Sequence, residues 1–202
     1  MASVNLSIIY YSSTGTIHGM AERLRQAGEK AGAEVRLRQV AELAPAEAIA
    51  SNAAWSQHFD RTKNEPKATA DDIVWADAVL LGSPTRYGNV ASQLKQYLDT
   101  LGAQWAQGLL ANKAYAGFTA SQTAHGGQES TLLALYNSIY HFGGIVVPPG
   151  YTDPLKFADG NPYGVSHVTG PNNDAPLAEA EIAALDHMAE RIVMVAGKLK
   201  NG

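Results

Sequence analysis

The sequence predicts an α/β fold, a doubly wound five-stranded parallel sheet with helices on both faces. Short apolar runs alternate with segments of helical spacing along the chain. Several of those runs lead straight into loops of small polar residues, the expected arrangement at the carboxyl ends of parallel strands. Of the 202 residues, 46% are hydrophobic, enough to fill the core of one large domain. Residues 1–202 are therefore read as a single domain with two insertions, at about 45–66 and 150–176.

Leu6-Ser7-Ile8-Ile9-Tyr10-Tyr11 reads as a buried strand. Ile17, Met20, Ala21, Leu24, Ala27, Gly28 and Ala31 then recur at helical spacing, and Gly32 is placed to end that helix. Glu34–Val40 is the second strand. Residues from Pro45 to Pro66 fit neither period and read as an insertion or long loop. Asp77–Gly82 is the third strand. Ser83–Asn89 is a turn-rich loop, and Ala91, Leu94, Tyr97, Leu98 and Leu101 mark the next helix. Lys113–Thr119 is the fourth strand, followed by the polar loop Ser121–Gly127. A helix through Leu132, Leu135, Tyr136, Ile139 and Tyr140 stops at Gly143-Gly144, before the fifth strand, Ile145–Val147. Gly150–Pro176 is a second irregular stretch rich in Gly, Pro, Asn and Asp. Ile182, Leu185, Ala189, Ile192, Ala196 and Leu199 define a final amphipathic helix.

Composition narrows the function classes. The net charge of -4 and the absence of a basic run speak against nucleic acid as a partner. Without cysteine there is no disulfide, thiolate metal site or cysteine nucleophile. His58, His125, His167 and His187 show no paired ligand spacing, so no metal site is expected. The start, Met1-Ala2-Ser3-Val4-Asn5-Leu6, lacks a positive region followed by a long apolar stretch, and every apolar run is short. Neither a signal peptide nor a membrane span is expected, and the location read from this is cytoplasmic.

Three loops carry the candidate chemistry. Ser12-Ser13-Thr14-Gly15-Thr16-Ile17 lies between a buried strand and a helix start. It can offer an anion orphan N–H groups, the positive end of a helix dipole and several hydroxyls. It has no Lys or Arg, unlike an ATP-binding P-loop, and no G-x-G-x-x-G, so a monophosphate fits it better than a dinucleotide. The same residues also suit a plain Ser/Thr cap with a turn glycine. In Ser83-Pro84-Thr85-Arg86-Tyr87-Gly88-Asn89, backbone groups could meet the polar edge of a flat ring, Tyr87 could pack near it, and Arg86 could place positive charge beside it. The less favoured alternative for this loop is a plain αβ turn with a surface arginine. Ser121-Gln122-Thr123-Ala124-His125-Gly126-Gly127 has a Gly-Gly pair that permits close backbone approach, or is simply solvated. His141, just before Gly143, reads on its own as a helix cap complementing the dipole, and Trp105 as a core or interface aromatic.

Together these segments resemble one family. Ser12–Ile17 resembles the flavodoxin phosphate loop. Gly82-Ser83-Pro84-Thr85-Arg86-Tyr87-Gly88-Asn89 is similar to the G-[ST]-P-T-R-[FY]-G-N signature of WrbA-type NAD(P)H:quinone oxidoreductases. His125-Gly126-Gly127-Gln128-Glu129, His141-Phe142-Gly143-Gly144-Ile145-Val146-Val147-Pro148 and Asn161-Pro162-Tyr163-Gly164 also resemble that family. The resemblance covers nearly the whole chain.

It implies a flavodoxin-like sheet of order 2-1-3-4-5 and a flavin mononucleotide (FMN) cofactor. The implied reaction is two-electron hydride transfer from NADH or NADPH to a quinone, giving a hydroquinone. One pocket serving both substrates would give ping-pong kinetics. Phosphate contacts are implied at Ser12, Ser13, Thr14, Gly15, Thr16 and Ile17. Ring contacts are implied at Pro84, Thr85, Arg86, Tyr87 and Gly88 and at Ser121, Gln122, Thr123, Ala124, His125 and Gly126. A flavin-side histidine falls on His141. A substrate-pocket tryptophan falls on Trp105, and Thr14 would also meet substrate. The implied assembly is a homotetramer, a dimer of dimers whose subunits complete one another's sites, with the insertions as assembly or pocket-covering elements. The chain departs from the family at Thr14, where some members carry Tyr, and at Thr16, where some carry His. The alternative within the same fold is a one-electron carrier with no substrate of its own.

Overall fold

A computed structural model describes residues 3–201. Met1 and Ala2, the first two residues of the segment read for a leader, lie outside the described residues. Strand β1 (Asn5–Tyr10) is at the centre of the sheet, paired in parallel with β2 (Glu34–Gln39) on one side and β3 (Ala78–Pro84) on the other. β4 (Ala114–Ser121) pairs with β3, and β5 (Ile145–Val146) pairs with β4, giving the order β2-β1-β3-β4-β5. The order implied by the resemblance is the order found.

Both faces of the inner strands are covered, which is why they read as unbroken apolar runs. Leu6, Ile8 and Tyr10 alternate with Ile9, and the two sets enter different cores. The first set packs with Leu80 and Phe118 beneath α1 (Thr16–Lys30) and the long C-terminal helix. The second packs with Val79 and Leu81 beneath the helices that follow β3 and β4. Gly82 is required where β3 runs beside Phe118 of β4, because a Cβ there would lie 2.2 Å from the Phe118 ring.

The segment 45–66, read as an insertion or loop, folds into α2 (Ala46–Ala50) and α3 (Ala53–Thr62). The Asn52 side chain caps α3, accepting from Trp55 N–H at 3.1 Å. The inward residues of α3 include Trp55, His58 and Thr62, so its buried face carries too little apolar character to register as a period. α4 (Ala70–Trp75) starts on a Thr69–Asp72 capping box. α5 (Ser92–Asp99) and α6 (Gly102–Ala106) follow β3. α7 (Gln128–Phe142) follows β4 and ends at Gly143 with φ 70°.

The fifth lane of the sheet is filled by two strands. β5 covers Ala114 and Tyr115 at one end of β4. After α8 (Lys156–Asp159), β6 (Val165–Val168) covers Phe118 to Ser121 at the other. Between them, the Gly117 N–H has a side-chain acceptor instead: the Tyr136 hydroxyl, at 3.2 Å, which in turn donates to the Tyr163 carbonyl. The sheet thus has five lanes built from six strands, and the stretch read as irregular contributes the sixth. α9 (Glu179–Asn201) closes the chain. Among the described residues, no helix is long and apolar enough to cross a membrane.

Candidate functional site

The loops after β1, β3 and β4 converge at the carboxyl end of the sheet around a cavity of about 510 Å³. That volume lies within the roughly 300–1,000 Å³ typical of small-molecule sites. Its floor is the β1–α1 loop, where Ser12, Ser13, Thr14, Thr16 and Ile17 line the cavity. Gly15 takes φ 108° to turn the chain into α1, a conformation costly for any residue with a Cβ. Buried Ser12 accepts the Gly15 N–H at 3.1 Å and so fixes the turn. Among the described residues, the Ser13 and Thr14 N–H groups donate to nothing in the chain. The first turn of α1 holds no acidic residue. Orphan donors, hydroxyls and an uncompensated helix N-terminus make this loop an anion cradle.

The β3 loop forms one wall through Pro84, Thr85 and Arg86. Arg86 and Asn89 exchange backbone bonds of 2.7 and 3.1 Å around Tyr87 (φ 53°) and Gly88 (φ 78°), a tight turn with two positive φ angles. Thr85 is held by Thr131 Oγ1 at 2.8 Å. Arg86 Nη2 lies 3.5 Å from Ser13 Oγ, joining the first two loops, and has no carboxylate partner among the described residues. The Tyr87 side chain is fully exposed and outside the cavity lining. Gly88 turns the loop without lining the cavity.

The β4 loop is the opposite wall, with Ser121, Gln122, Thr123 and Gly126 in the lining. The second insertion braces it. Gln122 donates to the Pro171 carbonyl at 2.8 Å, and Thr169 N–H donates to the Ser121 carbonyl at 2.9 Å. Ala124 and His125 are exposed and lie outside the lining.

His141 and Trp105 meet each other rather than this cavity, with Trp105 Nε1 donating to the His141 carbonyl at 2.8 Å. Gly143, two residues beyond His141, is bonded to Asn112 just before β4 begins. The pair therefore sits at the amino end of β4, roughly 25 Å along the strand from Ser121. Both side chains are exposed.

Five lining residues were not legible in the sequence: Asn52 and Trp55 at the start of α3, Ala120 near the end of β4, and Thr169 and Asn173 from the second insertion. Trp55 also borders a neighbouring cleft of about 590 Å³ with Tyr11, Arg86 and Gln93. Glu42 anchors that boundary. It accepts from Trp55 Nε1 at 3.0 Å, Tyr11 OH at 2.9 Å, Gln93 Nε2 at 2.8 Å and the Leu43 and Ala44 N–H groups. Burial alone would raise the Glu42 carboxyl. The donors from Ala44, Gln93, Tyr11 and Trp55 outweigh it and hold the group below the usual carboxylate value. An aromatic at position 55, inside a segment with no apolar period, was the one available signal.

A five-lane parallel sheet with an anion cradle after its first strand, and a cavity walled by the next two strand ends, defines a flavodoxin-like α/β protein. The comparisons agree. A family model described as NADPH-dependent FMN reductase matches residues 7–153. An NAD(P)H dehydrogenase (quinone) from Deinococcus radiodurans is 45% identical over 199 residues, 98% of each chain. One from Sinorhizobium fredii is 37% identical, over 95% of this chain and 96% of its own. Among solved structures, a flavodoxin, WrbA-like protein from Agrobacterium tumefaciens superposes with a TM-score of 0.67 at 20% identity, covering 97% of this chain and 99% of its own. This chain belongs to the NAD(P)H dehydrogenase (quinone) family, within the FMN reductase group.

Proposed function

We propose that this protein is an FMN-dependent NAD(P)H:quinone oxidoreductase of the WrbA type that works as a homotetramer in the cytoplasm. The observation that carries the reading is the cradle of Ser12–Thr16, with its unused Ser13 and Thr14 N–H groups, at the floor of a cavity open between two strand-end loops. The residues fit the cofactor: a phosphate would be held by the Ser and Thr hydroxyls and the loop N–H groups. A flat ring would lie between the Pro84–Arg86 and Ser121–Thr123 walls. Bound FMN supplies two-electron hydride chemistry between a nicotinamide and a quinone.

The chain's own groups bind and polarise. Arg86, with no carboxylate partner among the described residues, places fixed positive charge at the mouth of the cavity, where it would stabilise negative charge on a reduced ring. No side chain is needed as a nucleophile. The exposed Trp105–His141 pair lies at the far end of β4 from its own subunit's cavity, so the flavin and substrate roles that the resemblance gives these residues require a neighbouring subunit.

The test is an anaerobic titration of FMN-loaded protein with NADH or NADPH and then benzoquinone. The reading expects complete bleaching in one two-electron phase and full recovery on adding quinone. FMN binding without bleaching by either nicotinamide would leave a carrier. Sedimentation checks the assembly, with a monomer at micromolar concentration counting against it.

A further inference from the structure

The Ser12–Ile17 cradle contains no cation, yet it is built for an anion. The first insertion supplies one. α3 runs past the cradle and turns a stripe at three-residue spacing toward it: Asn52, Trp55, His58 and Arg61. Asn52 and Trp55 line the cavity. A Cβ built on Gly15 would lie 3.5 Å from His58 Nδ1 and 3.8 Å from Arg61 Nη2.

Among the described residues, Arg61 makes no ion pair and no side-chain hydrogen bond. In the last turn of α3, its guanidinium thus has no carboxylate partner and stands beside the positive end of α1, where a bound phosphate would give it a partner of opposite charge. Trp55 is held differently. Its only polar atom is turned away to Glu42 at 3.0 Å, while the half-buried ring remains part of the cavity wall. An indole pinned by its N–H presents an apolar face at little further entropic cost.

We propose that α3 is a flavin-binding element of this chain: Arg61 pairs with the phosphate of FMN, and Trp55 packs against its riboflavin portion. This rests on the flavin reading of the cavity and adds a wall that the three strand-end loops do not provide.

The two contacts separate by ligand. Dissociation constants for FMN and for riboflavin, which lacks the phosphate, are measured by flavin fluorescence for the wild type and four variants. R61Q is expected to weaken FMN about tenfold and leave riboflavin unchanged, with R61K restoring most of the loss. W55A is expected to weaken both ligands by a similar factor, with W55F retaining most of the affinity. R61Q acting equally on both ligands, or on neither, overturns the phosphate contact. W55A and W55F both binding like the wild type overturns the packing contact. Wild-type protein that binds neither flavin would overturn the reading of the cavity itself, whereas wild-type binding with indifferent variants overturns only the assignment of α3.

Discussion

The segments that lengthen this chain beyond its strand–helix core are built in contrasting ways. Among the helices and strands, α2 and α3 pack mainly on one another, with the buried His58 of α3 reaching His18 of α1. β6 lies inside the sheet on β4, with α9 against it, and α8 packs on α9. Each segment buries one histidine almost completely, His58 at 1% exposure and His167 at 2%. His58 Nε2 has no hydrogen-bond partner among the described residues, and burial, with the charges of His18, Arg61 and Lys67 adding to it, pushes the ring down to about 4. His167 has both nitrogens engaged, Nδ1 with Glu181 at 2.8 Å and Nε2 with the Ala175 carbonyl at 2.9 Å. The Glu181 bond outweighs burial and raises it. At similar depth, the charged form is disfavoured for the ring in one insertion and favoured for the ring in the other. Burial lowers both rings; only His167 has an acidic partner whose bond outweighs it.

The largest test of this contrast lies in the second insertion. Lys156 is fully buried and bonds Asp159 at 2.6 Å and the Gly164 carbonyl at 3.1 Å. K156M would leave a buried carboxylate without its cation and is expected to cost about 3–5 kcal/mol. Denaturant unfolding reads this as a shift of the whole transition, because the segment is part of the sheet. The double variant K156M/D159L should recover most of the loss. If it is as unstable as the single variant, geometry rather than charge holds the segment.

The histidines should then give opposite pH dependence. His58 has a folded value below its ordinary 6.5, so between about 6.5 and 4 the unfolded chain binds more protons. Its contribution is present above that window and is lost as pH falls through it, by up to about 3 kcal/mol. His167 has a raised folded value. Its contribution is complete below about 6.5 and is lost as pH rises through that raised value. Melting temperatures of wild type, H58L and H167Q across pH 4–9 check both signs. H58L should flatten the acid side and H167Q the alkaline side; two variants that change the profile in parallel would break the contrast.

Legibility in the sequence followed the same division. β1, β3 and β4 and the loops after them could be read because strands buried on both faces are continuous apolar runs that stop abruptly at Ser12, Ser83 and Ser121. α3 could not, since the residues it turns inward are polar, His58 and Thr62 among them. β6 could not, being four residues, Val-Ser-His-Val, whose register comes from pairing with β4. The resemblance places Trp105 and His141 at a flavin site, but His141 is the 14th residue of α7, about 20 Å along the helix from its start beside this subunit's cavity. Helix length could have placed that residue at the opposite end of the sheet; nothing local to it could.

The smallest expected effect gives the sharpest test of whether the first insertion is separable. Asn52 caps α3 through one bond to the Trp55 N–H. N52A should cost about 1 kcal/mol, N52G only a few tenths, and N52D close to nothing. Because the helix that α3 packs on most is the short α2, outside the sheet, the loss should be local. Amide exchange is expected to speed up across residues 53–62 while the midpoint of global unfolding stays within error of the wild type. Trp55 and Arg61 sit on that helix, so a frayed α3 should also weaken FMN binding without disturbing β6 or its neighbours. A midpoint that falls by the full capping energy would mean that α3 unfolds only with the sheet. The two insertions would then differ in the chemistry of their histidines but not in how they are joined to the core.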